Sequence, residues 1–141
     1  MSSNAVGFLL ARAGERLVGL PLAQVLQVIS IGDVRPVPVT QRSIRGLVTV
    51  HGRTMSLVHL ESLLHGSSCP PVTGGVGVVI AVDGRQVCLE VEEAEILVRE
   101  PALPLPNGET LPWAIGVARH GEGLVPLLDL EALSTRLTEA A

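Results

Sequence analysis

Aromatic side chains are nearly missing from this chain, which has one Phe, one Trp and no Tyr in 141 residues. Lysine is absent, so all ten cationic side chains are arginines, and they form no basic run. Without stacking rings or a clustered cationic face, the chain lacks the base platform and the phosphate footprint of a nucleic-acid binder. Cysteine is confined to Cys69 and Cys88, which have no metal or redox spacing. They read as a loop thiol and a small buried apolar side chain. The net charge of −4 is mild. The N-terminal stretch MSSNAVGFLLARAGERLVGL carries no basic leader and is broken by Arg12, Glu15 and Arg16. It fits neither a signal peptide nor a membrane span, and the expected location is the cytoplasm.

Catalytic and cofactor patterns are equally thin. Ser30, Ser43 and Ser56 stand in no Gly-x-Ser-x-Gly context, so no nucleophile elbow is built. Gly74-Gly75-Val76-Gly77 lacks the Lys-Ser/Thr of a phosphate loop. Histidines 51, 59, 65 and 120 never show the His-x-x-x-His spacing that puts two ligands on one helix face. The expectation is no catalytic residue, no cofactor and no metal ligand set.

What the chain has in quantity is aliphatic residues, glycine and proline. Apolar residues make up 47% of it, with 15 Gly and 10 Pro. Val, Leu and Ile pack well on a pleated sheet, and frequent breakers favour short strands over long helices.

The order of motifs repeats once, at a spacing of about 70 residues, and such repeats govern the fold. Gly14-Glu-Arg-Leu-Val-Gly-Leu-Pro-Leu22 matches Gly84-Arg-Gln-Val-Cys-Leu-Glu-Val91, and Val25, Val28 and Ile29 match Ala94, Leu97 and Val98. Pro36-Val-Pro38 matches Pro104-Leu-Pro106, Ile44-Arg-Gly46 matches Ile115-Gly116, and His51-Gly52 matches His120-Gly121. Leu57-Val-His-Leu-Glu-Ser-Leu63 returns as Leu127-Leu-Asp-Leu-Glu-Ala-Leu133.

Alternating apolar runs bounded by Gly turns predict hairpins. Strands are expected at 6–12, 16–22, 24–30, 45–50 and 54–59, followed by a helical turn at 60–65. The second half gives 76–82, 86–91, 93–99, 115–120 and 124–129, then a helix at 130–138. His59 and Asp129 precede the two helical segments, and Asp is a good cap. The fold class is mainly β: two pseudo-repeated five-stranded barrels with short helices. The whole chain, 1–141, forms one domain with subdomains near 6–66 and 75–135, a connecting loop at 67–74 and a tail at 136–141.

Val25-Leu-Gln-Val28, Pro36-Val-Pro38, Ile44-Arg-Gly-Leu-Val-Thr-Val-His-Gly52 and Leu57-Val-His-Leu60 together resemble a CheW-like domain. Val87-Cys-Leu-Glu-Val91, Ile115-Gly-Val-Ala118 and Leu127-Leu-Asp-Leu130 agree, so the resemblance spans residues 6–135. It implies SH3-like barrels, no catalysis, and an adaptor that couples a methyl-accepting chemoreceptor-like protein to a CheA-like histidine kinase. Mapped onto this sequence, the family's receptor-coupling positions are Val25, Gln27, Gly46, His51 and Gly52. Val25 would give apolar contact, the glycines close approach, and Gln27 and His51 polar registration. Val25 and the glycines also have plainer roles, as core and as turns.

Two of these positions depart from the family. His51 stands where an arginine implicated in receptor coupling is usual, and Gln27 where its glutamate partner is usual. A Gln–His hydrogen bond can substitute without leaving a buried charge unpaired. His lacks the planar fork of Arg, so the change is not conservative and implies altered partners in a divergent pathway.

Three further features stay open. Glu90, Glu92, Glu93 and Glu95 read as a solvated face, with a docking edge for a basic partner as the alternative. Trp113 fits either a plug between barrels or an exposed anchor. A small-ligand or metal-sensing β-barrel is the other class of function, and a fragment of a kinase's own regulatory module would share the fold.

Overall fold

The computed structural model describes residues 5–36, 43–65, 75–105, 113–121 and 123–139. Its strands are β1 (Ala5–Ala13), β2 (Arg16–Pro21), β3 (Val25–Ser30), β4 (Ile44–Val50), β5 (Arg53–His59), β6 (Val76–Val82), β7 (Arg85–Val91), β8 (Glu93–Pro101), β9 (Ala114–His120) and β10 (Gly123–Leu128). Helix α1 (Leu60–His65) follows β5, and α2 (Leu130–Glu139) follows β10. Every expected element is present within two residues of its expected ends. The helix α2 also takes in most of the segment expected as a tail. The connecting loop at 67–74 lies outside the described residues.

Tight turns fix the hairpin registers. His51 (φ 50) and Gly52 (φ 78) both have positive φ, as do Asp83 (φ 51) and Gly84 (φ 71). Two consecutive positive-φ residues form the primed turn whose twist suits antiparallel strands. Gly14 alone is positive (φ 66) in the β1–β2 turn, where Ala13 pairs Arg16.

The two sheets do not follow the two halves of the sequence. One has the order β8-β1-β2-β10-β9 and the other β3-β6-β7-β5-β4. Each half thus lends its first hairpin to the other half's last three strands. Each sheet is therefore assembled from strands of both halves. The exchange is reciprocal: β2 meets β10 in parallel through Gly19 and Leu127, and β7 meets β5 in parallel through Cys88 and Leu57.

Each sheet closes on itself. Arg35, just beyond β3, exchanges backbone hydrogen bonds of 2.9 and 2.8 Å with Leu47 on β4. Leu103, just beyond β8, does the same with Val117 on β9, at 2.8 and 2.9 Å. These closures satisfy edges that would otherwise be open to another chain.

Strand exchange leaves the central hairpins buried on both faces. On β1, Phe8 and Leu10 fill one barrel, while Leu9, Ala11 and Ala13 face the core between barrels. On β7, Cys88 fills the other barrel, while Leu89 and Val91 face the shared core. Burial pushes the Cys88 thiol up to about 12, so it behaves as an inert apolar group.

Both helices are capped as the repeat implies. The Ala132 N–H donates to Asp129 Oδ1 at 3.1 Å, and the Ser62 N–H donates to His59 Nδ1 at 3.3 Å. An imidazole therefore does in one copy what a carboxylate does in the other.

Candidate partner-binding site

The five family-matched positions fall into two groups. Gln27 on β3 and His51 on the β4–β5 turn come together: the His51 Nε2–H donates to Gln27 Oε1 at 3.1 Å. β3 and β4 are the two edges of one sheet, so this bond spans the seam where that barrel closes. His51 and Gly52 are exposed, and Gln27 is half-buried.

Val25 and Gly46 look inward. Val25 is half-buried and packs against the shared core. Gly46 is buried with φ 151, and a Cβ there would lie 2.3 Å from the Arg35 carbonyl oxygen. Its role is to let the closing segment approach β4. Gly52 has open space around it and serves the turn.

The apolar surface beside the Gln27–His51 bond comes from residues to which sequence patterning assigned no face. Leu26 is 50% and Val28 47% exposed, and Leu22 just before them is also exposed. β3 reads Val-Leu-Gln-Val-Ile, too uniformly apolar for alternation to mark its outer face. A register shift between Val25 and Gln27 leaves Leu26 unpaired on β3, the kind of bulge that re-aims a side chain. The result is a short aliphatic strip with a polar hydrogen-bonded rim.

A second bulge, on β4, turns Arg45 inward to an ion pair with Glu90, each side chain being 7% exposed. This corrects the expectation that Glu90 belongs to a solvated face. Glu90 does point away from Leu89 and Val91, but that face of β7 is the barrel interior that Cys88 fills rather than water. Glu92, Glu93 and Glu95 are exposed as expected, and Arg12 pairs with Glu93 and Glu95. The equivalent bulge on β9 falls at Ile115, which is exposed.

His59 lies next to this pair and is 3% exposed. Its Nδ1 accepts from the Ser62 N–H and also meets Ser62 Oγ at 2.7 Å, so the ring proton sits on Nε2. Desolvation, followed by the Arg45 charge, lowers its pKa from 6.5 and keeps it neutral. His59, Glu61 and Glu92 bring donor atoms within 4.8 Å of one another. The Nδ1 of His59 is committed to the helix cap, while His51 sits on the β4–β5 turn and His120 ends β9.

Trp113 resolves to the plug: it is 4% exposed and packs in the core between barrels, with the Arg16 guanidinium 5.6 Å from its ring centroid. Among the described residues no helix is long and apolar enough to cross a membrane.

Two strand-exchanged barrels around one shared core, with a polar-rimmed apolar strip at a barrel seam, define a surface-presenting module. A family model described as CheW-like domain matches residues 7–138, and the chain belongs to that family of chemotaxis scaffold and adaptor domains. Among solved structures it is similar to the scaffolding protein TtCheW from Thermoanaerobacter tengcongensis. That likeness has a TM-score of 0.79 at 16% identity and covers 91% of each chain, so it speaks to the fold. No curated protein matches the sequence significantly.

Proposed function

We propose that this protein is a non-catalytic adaptor of the cytoplasm that couples a methyl-accepting chemoreceptor-like protein to a CheA-like histidine kinase in a divergent chemosensory pathway. Family membership supports the scaffold role. The observation that carries the finer reading is the seam on β3 and the β4–β5 turn. There Leu26 and Val28 lie exposed beside the Gln27–His51 hydrogen bond.

A receptor helix would lay an apolar stripe on Leu22, Leu26 and Val28, while Gln27 and His51 set its register. A Gln–His pair at the rim lacks the planar fork with which an arginine there would make bidentate carboxylate contacts. The partner's matching surface should therefore be less acidic than that of a conventional receptor.

A pull-down from native lysate, scored for a histidine kinase and a receptor-like coiled coil, tests the adaptor role. Recovery of both supports it, and recovery of neither contradicts it. Binding of a conventional chemoreceptor tip at ordinary affinity would contradict the divergence.

A further inference from the structure

The repeat supplies an internal comparison at the shared core. The His59 N–H donates to the Ser43 carbonyl at 2.7 Å, and the Asp129 N–H donates to the Trp113 carbonyl at 2.7 Å. Ser43 and Trp113 are therefore equivalent positions. The turn pairs Ala13–Arg16 and Val82–Arg85 make Arg16 and Arg85 equivalent as well.

The two copies fill this position differently. In one, the Trp113 indole is packed in the core beneath the Arg16 guanidinium. In the other, Ser43 supplies no ring, and its Oγ is buried without a hydrogen bond among the described residues. A cavity of about 210 Å³ opens beneath α2, walled by Val58, Ile80, Leu89, Leu130, Leu133 and Ile44, the residue that follows Ser43. Arg85 completes the lining and donates to Ser134 Oγ at 3.1 Å. The counterparts of Val58, Leu89 and Leu130 are Leu128, Leu20 and Leu60, which share the core with Trp113.

We propose that this cavity binds a small planar aromatic carboxylate, whose ring takes the place of the missing indole and whose carboxylate meets Arg85. Three properties support that occupant. An aliphatic cavity of about 150 Å³ is already large enough to take benzene, and this one is larger. A guanidinium over the ring, as Arg16 lies over Trp113, is the favourable cation–π arrangement. An anionic group at the guanidinium makes a charge-assisted hydrogen bond that a neutral ligand cannot.

The test is calorimetric titration of the full chain with indole-3-propionate, indole and hexanoate. The expected result is one site per chain, with indole-3-propionate binding about tenfold tighter than indole. Arg85→Ala should remove that preference, leaving indole-3-propionate and indole with similar, weaker affinities. Ser43→Trp should abolish binding and raise the melting temperature, because the cavity then holds its own indole. If Ser43→Trp does not fold, Ser134→Leu, which copies the equivalent Leu64, should narrow the cavity and weaken binding at least about tenfold. No binding at millimolar probe, unchanged binding in the filled variants, or an unchanged preference in Arg85→Ala would overturn the proposal. Tighter binding of hexanoate than of indole-3-propionate would overturn the aromatic occupant.

Discussion

Gln27 and His51, on opposite edges of one sheet, share a hydrogen bond of 3.1 Å across the seam that closes the barrel. The bond joins an amide and an imidazole at a position where the family resemblance implies an Arg–Glu ion pair. It is exposed, so its net contribution to stability is small, about 1 kcal/mol or less. His51→Ala should therefore leave the melting temperature nearly unchanged while weakening receptor binding. Gln27→Glu with His51→Arg should shift preference toward a conventional receptor tip, read by comparing the two affinities.

The Arg45–Glu90 pair behaves oppositely, because both side chains are buried. Removing Arg45 strands the Glu90 carboxylate away from water, which costs about 3–5 kcal/mol. Urea unfolding of Arg45→Ala should show a loss of that order. Replacing both together with apolar residues of similar volume should cost much less than that single change.

His59 gives the fold a pH dependence with a definite sign. Its folded-state pKa is lowered, so between 6.5 and that lower value the unfolded chain binds a proton that the folded chain does not. Its contribution is complete above 6.5 and is lost as pH falls through this window, with a slope of at most about 1.4 kcal/mol per pH unit. His59→Asn keeps a capping acceptor and removes the titration, so its stability curve between pH 7 and pH 5 should be flatter. An unchanged slope would contradict the assignment.

Gly46 and Gly52 should separate cleanly on substitution. Gly52→Ala meets open space and bears only the positive-φ cost, about 1–2 kcal/mol. Gly46→Ala adds a collision with the Arg35 carbonyl that closes the barrel. Its loss in denaturant titration should be clearly larger, and it should act through the fold rather than through a lost partner contact.

Much of this architecture is legible in the sequence, for identifiable reasons. Val, Leu and Ile in alternating runs between Gly turns mark strand ends, and the repeated order from Gly14 to Leu63 marks two like units. The exchange of hairpins is not legible, because both copies carry the same apolar pattern and either pairing would bury it equally well. Glu90 departs from its expected place for a related reason: alternation assigns one face of β7 to water, yet exchange buries both. The outer face of β3 was hidden by its uniform Val-Leu-Gln-Val-Ile composition. The Gln27–His51 contact, by contrast, could be anticipated, because the resemblance placed both residues at partnered positions.

The adaptor claim is tested most directly by titrating the purified chain with a chemoreceptor cytoplasmic tip and a CheA-like kinase encoded beside its gene. The expected result is a ternary complex in which Leu26→Asp or Val28→Asp weakens receptor binding at least about tenfold without lowering the melting temperature. Binding of neither partner, or receptor binding indifferent to both substitutions, would contradict the account.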